Sequence, residues 1–544
     1  MHFYDWSIIA VYFIISFIIG YAYKKRAGAS TEDYFLSGRK LPWWLAGISM
    51  VATTFAADTP LAVTELVGKN GIAGNWLWWN MLIGGMLTVF FFARLWRRAN
   101  ILTDVEFIEL RYSGKSAAFL RGFKAIYLGV FMNTIIMGWV NLAMMKILMG
   151  MFPEYINQNN VLIYVGLCMF LTAVYSALSG LWGVAVTDAF QFLLAMFGCI
   201  VLAVIVVNSE QIGGIAGLQA KLPEWALRFT PEINSETDGT STAGVLAISV
   251  SSFLAFITIQ WWASWYPGAE PGGGGYVAQR MMSAKDEKNS LLATFFFQVA
   301  HYTIRPWPWI LVGLSAIVLY PELSMNDKGL GYVKAMNEFL PVGLKGLLLA
   351  AFFAAYMSTI ATHLNWGTSY FINDFYRRFI NKNNNEKHYV LTARIMTLVF
   401  MVLSIFVTLL MDSISGVWSF VMECGAGLGL VLILRWFWWR VNAISEIVAT
   451  VTPFAVYGVL YYGKINIQFP DSLYIIVPIT TAAWIFTAFI TKPTEENKLA
   501  NFFRKIRPGG IGWKKYKLKY SDVKTDKGYG YIFLSWFLGI VLVY

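Results

Sequence analysis

The chain has 544 residues, of which 57% are hydrophobic and 13% charged, and its mean hydropathy is +0.56. Most of it is therefore not built for water, and the formal net charge of +11 has to be read as membrane topology before anything else. Cys168, Cys199 and Cys424 all fall inside apolar stretches, with neither a disulfide framework nor metal-site spacing.

A membrane span needs about 20 apolar residues. About fourteen candidate segments meet that need, beginning near residues 4, 42, 72, 118, 160, 183, 243, 288, 343, 390, 415, 445, 472 and 529. No basic residue precedes the first, Tyr4 to Tyr23, and Lys24-Lys25-Arg26 follows it. It reads as a retained anchor with the N-terminus outside, not as a cleaved signal peptide. Later inner loops carry Arg39 and Lys40, then Arg94, Arg97 and Arg98, then Arg377, Arg378, Lys382 and Lys387. The outer loop Asn208–Thr242 is acidic instead, with Glu210, Glu224, Glu232, Glu236 and Asp238. The basic stretch 492–527 falls on the inner side, where anionic lipid is the expected partner and nucleic acid is not. An integral protein of the cell membrane is expected.

Two spans look interrupted. In Leu41–Val63 an Asp58-Thr59-Pro60 sequence follows Thr53 and Thr54. Pro60 lacks an N–H and disfavours helix at Thr59, and a mid-membrane carboxylate is costly unless paired or facing a polar cavity. A kinked helix with a satisfied Asp would account for this, as would a discontinuous helix whose carbonyls face a binding site. The span Gly244–Tyr266 carries Ser249, Gln260, Trp261, Trp262 and Trp265 and then runs into Pro-Gly-Ala-Glu-Pro-Gly-Gly-Gly-Gly. These are the second and seventh spans, in matching places of two five-helix halves, the pattern of an inverted repeat with a midplane site. Asp58, Thr59, Gln260, Trp261, Trp262 and Arg305 are accordingly the candidate solute contacts. Arg305, Glu423, Arg435 and Glu65 could equally pair to hold helices together, and His301 and His363 read as satisfied core histidines.

In the helix of Gly343–Arg378, Ala355, Ser358 and Thr359 stand at i, i+3 and i+4 and share one face. That face offers a carbonyl and two hydroxyls to a hard cation, although the same residues serve as glue between membrane helices.

Four ordered motifs resemble the sodium:solute symporter family. They are Glu-Asp-Tyr-Phe-Leu-Ser-Gly-Arg-Lys-Leu-Pro-Trp-Trp at Glu32–Trp44, Gly-Leu-Trp-Gly-Val-Ala-Val-Thr-Asp-Ala-Phe-Gln at Gly180–Gln191, Tyr-Val-Ala-Gln-Arg-Met-Met-Ser-Ala-Lys at Tyr276–Lys285, and the Ser358-Thr359 helix itself. The resemblance implies an all-α LeuT-type fold of five-plus-five inverted repeats, with one helix added before and several after. The divisions expected are residues 1–41 for the added helix, 42–242 and 243–440 for the repeats, and 441–544 for the remainder. It also implies a sodium site formed by the backbone oxygens of Ala52, Phe55 and Ala355 with the hydroxyls of Ser358 and Thr359. A second sodium would take Asp188, Ser358 and Thr362, although Ala361 stands where one more hydroxyl is expected. The chain departs from the family at the glycine-rich insertion Pro267–Gly275.

The expected function is sodium-coupled uptake of a small polar solute (a sugar, amino acid or carboxylate) by alternating access, with sodium as coupling ion and no other cofactor. A solute sensor would need a soluble output domain. A multi-span membrane enzyme would need a nucleophile elbow, zinc motif or phosphate loop beside its histidines. An enzyme is not expected.

Overall fold

The structure, a computed structural model, describes residues 2–28, 30–233, 247–248, 250–325, 327–411, 420–465, 467 and 469–544. Glu236, Asp238, Ser249 and the start of the span expected near 415 lie outside the described residues. Among the described residues, eight helices are long and apolar enough to cross a membrane, and up to ten if each of two bent pairs is one span.

The expected count of about fourteen is not confirmed among the described residues. The stretch Val161–Val207 holds the segments expected near 160 and 183 as two helices joined at a kink. It turns at Gly180, whose φ of 54° and ψ of −164° suit a residue without a Cβ. The segments expected near 243 and 529 contain the shorter apolar helices Phe253–Ala263 and Tyr529–Val543, and Leu428–Phe437 follows the one near 415.

Burial separates the centre from the rim. In Leu344–Ile380, the helix of Ser358 and Thr359, 94% of the most apolar window is buried, against 28% in Phe3–Ala22 and in Glu386–Thr408. The central helix can therefore carry Ser358, Thr359, Thr362 and His363 at no cost in lipid exposure, since protein surrounds them all. Beside it lies the broken helix. Trp43–Thr54 ends where Phe55 leaves the helical region (φ −94°, ψ 73°). Thr59–Asn70 restarts at an angle of 59° with Pro60 in its first turn, where a missing N–H removes no helical bond.

Charges weighed as functional prove partly structural. Glu446 accepts from Arg435 at 3.2 Å and from Tyr112 at 2.8 Å, and Lys124 makes a short contact with it. This buried cluster ties Gly114–Met151, Leu428–Phe437 and Ala443–Tyr462 together. Glu423 takes the Ser472 hydroxyl at 2.6 Å, and Glu65 pairs with Lys69 one turn on. On the short helix Phe107–Arg111, burial would raise the Glu109 carboxyl, but Arg378 and Arg121 hold it below its ordinary value. In the basic stretch, helix Glu496–Ile506 buries Leu499, Phe502 and Phe503 and leaves Arg504 and Lys505 exposed.

Removing one partner from a buried ion cluster costs about 3–5 kcal/mol because a charge is stranded. Glu446→Ala should therefore sharply lower the thermal midpoint of purified protein, and Glu446→Gln, which still accepts from Tyr112, should lower it less. Equal midpoints in wild type and Glu446→Ala would show that the cluster does not hold these helices.

Candidate functional site

Stretches far apart in sequence meet at Asp188. Its Oδ2 accepts from Ser49 Oγ at 2.5 Å and its Oδ1 from Ser358 Oγ at 2.6 Å. Arg280 lies against the same group. Its Nε donates to Ser49 Oγ at 3.1 Å, its Nη2 donates to Thr362 Oγ1 at 2.7 Å, and Nη2 is 3.7 Å from Asp188 Oδ2. Both charged side chains are fully buried. The set of Asp188, Ser358 and Thr362 is thus brought together, and the cation it surrounds here is a guanidinium.

The motifs are tied to one another through this centre. Gln279 accepts from Arg280 Nη1 at 2.8 Å and donates to the Phe35 carbonyl at 3.0 Å. Arg39 donates to the Met282 carbonyl, and the Leu41 N–H to that of Ser283. Trp182 donates to the Ser37 carbonyl at 2.8 Å.

One turn along, Thr359 Oγ1 donates to the Thr53 carbonyl at 2.9 Å and lies 3.2 Å from the Ala355 carbonyl. The break in the second span is what exposes this end of the helix. The Ala52 carbonyl, 3.1 Å from Phe55 N, belongs to the same last turn. Ala355, Thr359 and the Ala52–Phe55 turn therefore converge, and the Thr53 carbonyl joins them. Sequence reasoning singled out Thr53 only as part of the polar stretch. A dehydrated sodium ion needs such oxygens, and unwound backbone supplies them.

A cavity of about 130 Å³ adjoins this turn, with Thr53 and Thr359 in its wall. Asp58, Thr59 and Arg305 line it as expected. Gln260, Trp261 and Trp262 are not among its lining residues. The two indoles bond back within their own helix, to the carbonyls of Ile257 at 3.0 Å and Thr258 at 2.5 Å, and the buried Gln260 amide lies on Met422 sulfur. The helix breaks only at Ser264, so the seventh span contributes Tyr266, Gly268 and Tyr276 to the wall instead.

His301 and His363 also line the cavity. Arg305 donates through Nη1 to Thr54 Oγ1 at 3.0 Å, and its Nη2 is 3.3 Å from His301 Nε2. Its Nε has no partner. With Nε2 accepting from Arg305, His301 carries its hydrogen on Nδ1, which faces Thr54 Oγ1 at 3.0 Å. His363 Nδ1 lies 2.7 Å from Asn133 Oδ1. The expectation of satisfied core histidines fits His363; His301 is a cavity residue that braces an arginine.

The profile of the sodium:solute symporter family matches residues 34–451. The sodium/glucose cotransporter of Vibrio parahaemolyticus is 24% identical over 524 residues, covering 91% of this chain and 92% of that one. The sodium/sialic acid symporter of Proteus mirabilis is 25% identical over 494 residues, covering 86% and 91%. Among solved structures, a substrate-bound outward-open Na⁺-coupled sialic acid symporter matches with a TM-score of 0.71 at 22% identity, over 91% of this chain and 99% of that chain. The all-helical LeuT-type architecture expected from the motifs is the one observed.

Asp188 and Arg280 should be energetically coupled. Asp188→Asn and Arg280→Gln should each lower the thermal midpoint, and the double variant should fall by less than their sum, because neither charge is then stranded. Strict additivity would mean that the two groups do not stabilise one another.

Proposed function

We propose a solute class and an ion stoichiometry for this chain, which belongs to the sodium:solute symporter family and is a sodium-coupled symporter. The solute is sugar-sized and carries a carboxylate, and one sodium ion accompanies it. The observation that carries the solute class is Arg305, buried in the cavity wall with its Nε unpartnered and both Nη atoms braced by neutral groups. A guanidinium held in that way is suited to a carboxylate. Asp58 and Thr59, in the same cavity, suit hydroxyl or ammonium groups at the other end of the solute. The sialic acid specificity of the Proteus mirabilis relative is consistent with this class.

Sodium is held by the carbonyls of Ala52, Thr53, Phe55 and Ala355 with the hydroxyls of Ser358 and Thr359. Thr53 and Thr359 border both the ion turn and the solute cavity, so ion and solute share a wall. Arg280 supplies the positive charge that Asp188 would otherwise take from a second sodium. One sodium crossing 100 mV yields about 2.3 kcal/mol, and a tenfold gradient adds about 1.4 kcal/mol. For a solute without net charge this drives accumulation of a few hundredfold. For a monovalent anion the pair moves no net charge, and accumulation is limited to about the sodium ratio. The protein works in the cell membrane with its N-terminus outside.

Two measurements follow. In a thermal-shift assay with sodium, sialic acid and glucuronate should stabilise the wild type and glucose should not. Arg305→Ala should abolish the shift and Arg305→Lys should weaken it, since the planar fork is lost. A shift with glucose that survives Arg305→Ala would assign a neutral sugar instead. Ser358→Ala and Thr359→Ala should each raise the sodium concentration for half-maximal stabilisation by about tenfold, the scale of one lost contact to a charge. Unchanged sodium dependence in both would remove this ion site.

A further inference from the structure

The glycine-rich stretch Pro267–Gly275 buries a carboxylate that the proposed solute and sodium sites leave unused. Glu270 is 3% exposed. Its Oε2 accepts from the Gly268 N–H at 3.1 Å, and its Oε1 has no partner. The carboxyl lines a small cavity of about 30 Å³ with Asp104, Lys124 and Arg435, room for one or two water molecules. The glycines of the insertion make space for it. A Cβ on Gly275 would come within 2.6 Å of Glu270 Oε1, and one on Gly274 within 3.2 Å of its Cβ and Cγ.

The charges around Glu270 leave it unbalanced. Lys124 and Arg435 are both ion-paired to Glu446. Asp104 accepts the Gly275 N–H at 2.9 Å and makes a short contact with the Tyr370 hydroxyl. Two cations thus face two carboxylates before Glu270 is counted, and the hydroxyl of Tyr276, beside Gly268, adds no charge. An ionised, almost fully buried carboxylate with an unpartnered oxygen, near a second carboxylate, is costly.

We propose that Glu270 is a proton-binding site. The proton sits on Oε1, which donates into the small cavity, while Oε2 keeps the Gly268 N–H. Because Gly268 is part of the solute-cavity wall, the proton seats that wall. Protonation favours the seated insertion, so this contribution is complete at low pH and is lost as pH rises through the Glu270 titration. Above the midpoint the protonated fraction falls about tenfold per pH unit.

The test uses the purified full-length chain in lipid nanodiscs between pH 5 and pH 9, with no added solute. Infrared spectra of the wild type at pH 5 should contain a protonated-carboxyl C=O band that Glu270→Gln lacks. The wild-type thermal midpoint should fall with rising pH more steeply than that of Glu270→Gln, in which the amide imitates the protonated acid. Glu270→Asp keeps a titratable group and should restore a steep fall, so it also serves if the Gln variant folds poorly. Identical carboxyl bands in wild type and Glu270→Gln, or parallel pH profiles in all three proteins, would overturn the proposal.

Discussion

The buried pair of Asp188 and Arg280 is the constraint on which the rest of the centre depends. Neither charge can be left alone in the membrane interior, so every element that approaches must supply a partner. Ser49 comes from the broken helix, Ser358 and Thr362 from the central helix, and Gln279 from the segment that carries Arg280 itself. Three of the four sequence motifs supply these groups, and the first reaches the knot through the Phe35 carbonyl, which accepts from Gln279. Their separation along the chain reflects topology, and their residue types reflect one hydrogen-bonded knot.

The knot also fixes where ions can go. Ser358 gives its hydrogen to Asp188 and keeps its lone pairs, Thr362 accepts from Arg280, and Thr359 lies beside the helix break. Its neighbours are carbonyls, which suit a small hard cation and offer nothing to an anion. Across the Thr53–Thr359 wall the cavity is different, with an arginine, an aspartate and aromatic faces. A transporter that couples two cargoes needs two such unlike surfaces in contact.

Much of this was legible in sequence because the signals were strong physical violations. Pro60 and Asp58 inside an apolar run, and two hydroxyls on one face of another, cannot be ignored by a membrane helix. What was not legible were distances across helices. Trp261 and Trp262 have the aromatic character of a solute wall, but whether an indole faces a cavity or its own backbone depends on where the helix stops, and it stops after them. The glycine-rich insertion was the available pointer to Tyr266 and Gly268. Arg280 was part of a recognised motif, yet its approach to Asp188 spans 92 positions and left no local trace. Apolar length, by contrast, is local: hydropathy marks two runs on either side of Gly180, and the chain kinks there between two helices.

The central claim is that Arg280 takes the place of a second ion, so that Ser358, Thr359 and the broken helix hold a single sodium ion. Equilibrium binding of radiolabelled sodium to the purified protein, counted per chain, tests it most directly. The account predicts one saturable sodium in wild type, one in Asp188→Asn, and a strongly weakened one in Thr359→Ala. Two sodium ions per wild-type chain, with one lost in Asp188→Asn, would contradict it.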